Sequence, residues 1–405
     1  MKKLILSLLL FSFTFSGFSQ ESYVVILNES PVVQEMEGDN DRQNQSTRNL
    51  NKRNEKLNRL DAFISEKKIN VGQERKFVDG RVGFVARLND SEIGDLSGDP
   101  RVKGVYMDFK MQSRPMMQSG TPIIQGTRPI MQSWNYNEST KASCAIDLAG
   151  GSSDSRSRNT SVWVIDSGVD QNHLDLRVNS SQSFSKSFVE GEGPYQDFIG
   201  HGTHCAGIIG GTGAGNPGVT GVSAGADIIS VKVLDRTGEG SWSSLVLALD
   251  HVIKFAKRGD VILMSLGANV NGCSSETPVL GELIQEIGSR GIFVVMSAGN
   301  DSGFAENNLP GCVNGPNVFT VGSLDSSCQD GISGCSSYSN FGAPVDWAAP
   351  GNYIFSTFPG NSYQVMSGSS MSAALVAGII HARNGAPNSI GSIDCGGASY
   401  QIPGR

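Results

Sequence analysis

Apolar residues recur along this chain at two spacings, and the changes between them mark its organisation. Tyr23 to Leu27 (YVVIL), Val82 to Leu88 and Val102 to Met107 read as strands. Leu57, Leu60, Phe63 and Ile64 recur on one helical face, and Asp90 to Leu96 predicts a short helix opening on an Asp cap. Strand, helix, strand, helix, strand within residues 22–109 predicts a small ferredoxin-like two-layer module. From Lys110 to about Ile130 the chain turns to Gln, Ser, Pro, Met and Gly with no period, which predicts an exposed linker. Buried-strand runs then return at Val162–Ile165, Val261–Met264 and Ile292–Met296. They alternate with helical stretches starting at His201, spanning Leu245 to Ala256, and running from Ser370 to about Arg383. The predicted class of residues 131–405 is α/β, and about 280 residues is within single-domain size.

The first residues follow different rules. Met1, Lys2 and Lys3 precede an apolar stretch from Leu4 to Phe15, then Ser16, Gly17, Phe18 and Ser19. A charged start, an apolar run too short to span a bilayer comfortably and small residues after it predict a signal peptide over residues 1–19. Export to the extracellular space is the expected fate, with no later segment apolar enough to anchor the chain. The chain carries 32 Lys plus Arg against 39 Asp plus Glu, a net charge of −7. That acidity sits in residues 120–405, with 14 basic against 23 acidic side chains, while the front part is slightly basic, with Arg48, Lys52, Arg53, Lys56 and Arg59 clustered. Opposite signs assist association of the two parts, although a solvated helix face also accounts for the cluster. Nothing in this pattern suggests nucleic acid.

Three distant segments hold the candidate chemistry. Asp166 ends the apolar run of VWVIDSGVD, at the carboxyl end of a strand, where parallel sheets place their functional groups. His201 opens HGTHCAG with little side-chain bulk around it, and Ser370 stands in GSSMSAALVAG at the start of an apolar helix. A serine hydroxyl becomes a nucleophile when an imidazole takes its proton and a carboxylate fixes the imidazole tautomer. A helix amino terminus also favours a developing oxyanion. Taken singly, each residue has an ordinary reading: a turn carboxylate, a core histidine and a helix cap. Together, with these flanks, they point to nucleophilic catalysis.

With DSGVDQNHLDL, HGTHCAG, VKVLD, MSLGAN, SAGND and GSSM in order from Val162 to Ile380, the chain resembles the subtilisin-like serine proteases, the subtilisin and proteinase K branches in particular. The resemblance implies a three-layer subtilisin-like fold with a mostly parallel central sheet. It implies Asp166, His201 and Ser370 as catalytic residues and Asn300 as the side-chain donor of the oxyanion hole. It also implies substrate strands at Gly238, Glu239 and Gly240 and at Ser265, Leu266 and Gly267, with Trp242 near a distal apolar subsite and Ser297, Ala298 and Gly299 lining the cleft. Such strands hold an extended peptide by backbone pairing. Glu239 adds a mild preference for a basic substrate residue. Two departures stand out: Ala374 and Leu375 replace the family's Pro-His pair after the nucleophile, read here as altered packing, and Ser369 replaces a threonine. The front module, notably GRVGFVARLNDSEIGDLSGDPRVKGVYMD, resembles the inhibitory propeptide of the same family. That implies an intramolecular inhibitor and folding aid, with maturation cleavage between about residues 112 and 128; an accessory domain is the alternative.

Seven cysteines in an exported chain imply disulfides with one thiol left over. Cys205, inside the candidate helix, is the expected free thiol, as in the proteinase K branch. The other six pair in fifteen ways; the preferred set is Cys273–Cys312, Cys328–Cys335 and Cys144–Cys395. Asp175 matches a calcium-ligand position by resemblance, although its partner loop Thr212 to Val219 offers Asn216 as the one obvious side-chain donor. No cofactor is expected for catalysis. The leading function is a secreted, monomeric serine endopeptidase made as a zymogen and acting on peptides and proteins, with no membrane partner after signal removal. A catalytically dead peptide-binding module and a non-protease serine hydrolase are the alternatives; the latter lacks a G-x-S-x-G elbow.

Overall fold

The computed structural model describes residues 21–28, 42–113, 116–117, 123–124, 135–273 and 278–405; the predicted signal peptide lies outside them. Within the front module, strands Lys76–Phe77, Gly83–Leu88, Glu21–Leu27 and Val102–Met107 form one antiparallel sheet in that spatial order. Alternation along the central strand explains its two environments. Val25 and Leu27 face helix Arg42–Lys67 through Leu60, Phe63 and Ile64, while Val24 and Ile26 face the rest of the protein. This is the predicted ferredoxin-like layout with one further strand, Lys76–Phe77. The second helix, Asp90–Ser97, is capped by Asn89 rather than by Asp90: the Asn89 side chain accepts Glu92 N–H and the Glu92 side chain accepts Asn89 N–H.

The large domain is built on a sheet of ten strands, mostly parallel. From Lys186–Ser187 the order runs through Asp227–Lys232, Ser161–Asp166, Val261–Met264, Phe293–Ser297, Val318–Ser327 and Val345–Pro350. Trp163 and Ile165 point to one face, against helices Trp242–Phe255 and Pro278–Ser289. Val162 and Val164 point to the other, against helices His201–Gly210 and Ser369–Arg383. Three layers follow, and with them a crevice. The chain passes from Ser161–Asp166 to Asp227–Lys232 on one side, then crosses to Val261–Met264 on the other. The carboxyl ends of Ser161–Asp166 and Val261–Met264 therefore flank a switch point, where such sheets leave room for a ligand.

After helix Ser369–Arg383 the chain returns to the sheet. Strands Asn388–Cys395 and Ala398–Gly404 form a hairpin that extends the main sheet beyond Val345–Pro350. The disulfides are Cys144–Cys328, Cys273–Cys312 and Cys335–Cys395, with Cys205 free and buried. Two of the three preferred pairs are thus corrected. In the hairpin of Val318–Ser327 with Gly331–Cys335, Leu324 lies opposite Cys335, so Cys328 is four positions along the strand, about 14 Å away. A disulfide needs Cα atoms within about 7 Å. The C-terminal hairpin brings Cys395 to Cys335 instead, and Cys144, at the start of a short helix, meets Cys328.

The two domains are packed together. Val24, Ile26, Phe77 and Val85 share a buried cluster with helices Trp242–Phe255 and Pro278–Ser289. Around it, Arg81 pairs with Glu282 at 3.0 Å and Glu286 at 2.7 Å, and Lys103 with Glu282 at 2.7 Å. Asp250, buried in its helix, accepts the backbone N–H of Asp79 at 2.7 Å and of Gly80 at 2.6 Å. The start of the predicted exposed linker is not exposed linker at all. Lys110–Gln112 is a strand seated on the large domain, with Met111 only 1% exposed. Farther on, Met116–Met117 and Ile123–Ile124 pair with Ser362–Ser367. Most of the predicted cleavage stretch otherwise lies outside the described residues.

Candidate active site

Asp166 ends its strand with its carboxylate 1% exposed, its Oδ1 accepting Ser167 N–H at 2.7 Å. The helix bearing His201 closes onto the turn after Asp166 because position 202 is glycine: a Cβ there would come 2.1 Å from Gly168 O. His201 Nδ1 then lies 2.8 Å from Asp166 Oδ1 and 3.0 Å from Oδ2. Burial pushes the imidazolium down, but the Asp166 and Asp197 carboxylates outweigh it, so the pKa of His201 stands above the ordinary histidine value. With Nδ1 committed to Asp166, Nε2 is the nitrogen left to exchange a proton; it is buried and has no partner in the resting site.

Ser370 sits in the first turn of helix Ser369–Arg383, 2% exposed. Its Oγ donates to Ser265 O at 3.4 Å, while Ser265 Oγ donates to Ser370 O at 3.2 Å. The hydroxyl is thus parked on the strand end beside the crevice, over a bond long enough to be weak. Resting catalytic hydrogen bonds are commonly loose and tighten when substrate is present. Asn300 is held from the other side. Its Oδ1 accepts Ser369 N–H at 2.8 Å and lies 2.9 Å from Ser369 Oγ, which directs Nδ2 away from Ser369. The loop before it requires Gly299, at φ +103°, where a Cβ would meet Asn340 Nδ2 at 2.3 Å. The small hydroxyl of Ser369 therefore positions Asn300. Ala374 and Leu375 are fully buried against the sheet, as a packing change requires.

The two substrate strands expected from the sequence flank a peptide already in place. Glu239, Gly240 and Ser241 pair antiparallel with Gln112, Met111 and Lys110, and Ser113 N–H donates to Gly238 O at 3.3 Å. From the other side Gln112 and Gly267 exchange two backbone hydrogen bonds, at 3.0 and 2.9 Å. Gln112, Ser265, Leu266, Gly267, Ser297, Gly299, Asn300 and Ser370 line a cavity of about 30 Å³. Ala298 is buried just behind it. Lys110 Nζ lies 2.6 Å from Glu239 Oε2.

Two buried groups at the site were not singled out from the sequence. Asp197 accepts from Ser167 Oγ, Gly200 N–H, Thr203 N–H and Thr203 Oγ at 2.7 to 2.9 Å. Ser167 Oγ itself accepts Gly202 N–H and Thr203 Oγ accepts Asp170 N–H, so both hydroxyl protons point at Asp197. Four donors describe a carboxylate, although burial pushes its pKa up. It ties the turn after Asp166 to the first turn of the His201 helix, and an acidic residue just ahead of a helix start was the available signal. Lys232, fully buried in VKVLD, donates to Ser167 O and to Leu234 O at 2.7 Å and pairs with Glu192 at 3.1 Å, bracing the same turn.

Asp175 lies against the loop Thr212 to Val219, as the calcium expectation had it, but that loop turns N–H donors toward its carboxylate. Its Oδ1 accepts Gly215 N–H at 2.6 Å, and its Oδ2 accepts Val219 N–H at 2.8 Å and the Tyr363 hydroxyl at 2.9 Å. Two of these three donors are N–H groups of the very loop that was to supply carbonyls, so the residues present do not fit a hard cation. Cys205 is buried beside Asp166 and His201, and burial holds its thiol well above the usual range, which makes it an inert packing residue.

Comparison with known families decides the lineage. The family model described as Subtilase family matches residues 157–386. The chain belongs to the subtilase family. Residues 22–114 match the peptidase inhibitor I9 model, which places an inhibitor domain directly ahead of the subtilase domain. The chain is 34% identical over 318 residues to Subtilisin amylosacchariticus of Bacillus subtilis subsp. amylosacchariticus, covering 78% of this chain and 73% of that one. It is 32% identical over 252 residues to Thermitase of Thermoactinomyces vulgaris, covering 62% and 82%. The solved structure of a cold adapted subtilisin-like serine proteinase matches with a TM-score of 0.48 and 32% identity over 57% of this chain and 77% of that one. The subtilase domain is a serine-type endopeptidase, and the I9 domain is its inhibitory propeptide.

Proposed function

We propose that this chain is a secreted endopeptidase made as a zymogen, with Ser370 as nucleophile, His201 as general base, Asp166 as its orienting acid and Asn300 as oxyanion donor. The observation that carries the reading is the meeting of two things at one place. A buried His201–Asp166 pair with an unpartnered Nε2 lies in a site whose substrate strands grip a segment of the chain's own propeptide. In the reaction the Ser370 Oγ–H bond breaks as Oγ joins the substrate carbonyl carbon, and the proton passes to His201 Nε2. The negative oxygen of the tetrahedral adduct is met by Asn300 Nδ2 and the Ser370 N–H at the helix start. The C–N bond then breaks, with the Nε2 proton going to the departing amine. Water, deprotonated by the same nitrogen, releases the acid and restores Ser370.

Secretion is supported by the charged and apolar start of the sequence and by three disulfides, which persist in oxidising compartments. No helix among the described residues is long and apolar enough to cross a membrane. The Lys110–Glu239 pair supports a preference for a basic side chain at the matching substrate position. A monomer is expected. Comparing hydrolysis of a peptide anilide with that of a simple ester tests the reading: cleavage of both, lost in Ser370→Ala, is expected, and ester cleavage without peptide cleavage counts against a protease.

A further inference from the structure

Asn300 stands in a turn with a left-handed residue on either side of it. Gly299 has φ +103°, and Ser302 has φ +54°, a conformation that costs a serine energy and persists only where its surroundings impose it. Asn340 supplies much of that constraint. Only 4% exposed, it donates from Nδ2 to Ala298 O at 3.0 Å, and its Oδ1 accepts Asp301 N–H at 2.9 Å and Gly303 N–H at 3.0 Å. Its backbone N–H donates to Gly299 O at 3.0 Å. Two carbonyls ahead of Asn300 and two N–H groups behind it thus meet one residue. Asn340 is itself held from two directions. Phe341 N–H donates to Gly303 O at 3.0 Å and Ala305 N–H to Phe341 O at 2.7 Å. On the far side Gly342 N–H donates at 2.7 Å to the hydroxyl of Tyr400, in the C-terminal hairpin.

We propose that Asn340 is a positioning residue for the oxyanion hole. It fixes the backbone on both sides of Asn300, so that the side-chain amide stands where the negative oxygen forms. The inference rests on the peptidase reading and adds a residue on which the reaction depends. Two jobs are divided between two residues: Ser369 orients the Asn300 amide, and Asn340 sets where the Asn300 backbone lies. Placement matters because an oxyanion donor acts at about 2.7–3.1 Å from the developing charge. A misplacement of about 1 Å costs about 100-fold in rate. A carboxamide suits the place, since it accepts two N–H groups and donates to a carbonyl at once; a carboxylate would turn charge toward Ala298 O. Gly299 leaves room for this approach, for a Cβ there would lie 2.3 Å from Asn340 Nδ2.

The test is a double-mutant cycle on the full chain, matured by a trace of added protease and read with a peptide anilide. Asn340→Ala is expected to lower kcat by about 10- to 100-fold with KM little changed, less than the loss of the donor itself. In the Asn300→Leu background the same change should cost no more than about 3-fold, because no donor is left to place. An equal loss in both backgrounds, a raised KM with kcat intact, or an unchanged kcat overturns the proposal. Should Asn340→Ala fail to fold, Asn340→Ser, whose hydroxyl keeps part of the bonding, takes its place in the cycle and the same outcomes decide. If the wild type cuts a simple ester but no anilide, the peptidase reading has failed. The cycle run on the ester then decides the positioning role by itself, since ester hydrolysis passes through the same oxyanion.

Discussion

His201 and Asp197 are linked through the start of one helix: Asp197 accepts the N–H of Gly200, the residue before His201, and of Thr203, two residues after it. A second carboxylate therefore holds the imidazole that Asp166 orients. Both anions raise the pKa of His201, and in the proposed mechanism His201 is neutral when it accepts the Ser370 proton.

The sign of the pH effect follows. Activity should fall as pH drops through the His201 pKa, on a limb above the ordinary histidine value of about 6.5. Asp197→Asn removes a negative charge, makes the imidazolium less stable and should move that limb to lower pH. The kcat/KM profile of the matured variant measures it, and an unmoved limb rejects the electrostatic role. Asp166→Asn loses the tautomer control itself, with kcat down by about 10,000-fold, the loss known for this change in a serine protease triad.

Asn300→Leu keeps the size of the side chain and removes the donor. Turnover should fall by about 100- to 1,000-fold, the order known for one oxyanion donor of subtilisin, with KM little changed. Steady-state kinetics on a peptide anilide checks it. Ser369→Ala should give a smaller loss in the same direction, because Ser369 Oγ and N–H set the orientation of the Asn300 amide.

Asp250 makes the domain interface sensitive to pH. Burial, with the neighbouring Asp79 charge, raises its pKa to about 7, against the pull of three backbone N–H donors from Val78, Asp79 and Gly80. Arg53 pairs with Asp79, and Lys186 and Lys254 lie on the same side. A carboxyl raised on docking contributes stability that is full below its free pKa and is lost as pH rises through the docked one. Propeptide release, read as the rate at which activity appears in the full chain, should quicken from pH 5 to pH 8. Asp250→Asn should flatten that dependence relative to the wild type.

What the sequence made legible and what it did not divide along physical lines. Val162–Ile165 and the run after Ser370 announce a buried strand and a buried helix, because local apolar pattern alone decides them. The same holds for the ring of small residues around His201. Cys273–Cys312 was expected, but the other two disulfides were not legible, since they depend on Leu324 standing opposite Cys335 and on a C-terminal hairpin joining the sheet. Lys110–Gln112 has no strand pattern of its own; it becomes a strand because Glu239–Ser241 and Gly267 offer it backbone partners. Asp175 shows the limit of matching a residue to a role, for its carboxylate accepts two N–H donors and one O–H donor that no spacing rule displays.

In the proposed function one hydroxyl, activated by one imidazole, cuts peptide bonds. A fluorophosphonate probe added to the matured enzyme, followed by peptide mass mapping, reads it directly. Stoichiometric labelling at Ser370 is expected, and it should disappear in His201→Ala while the variant stays folded. Labelling elsewhere, or undiminished labelling of Ser370 without His201, contradicts it.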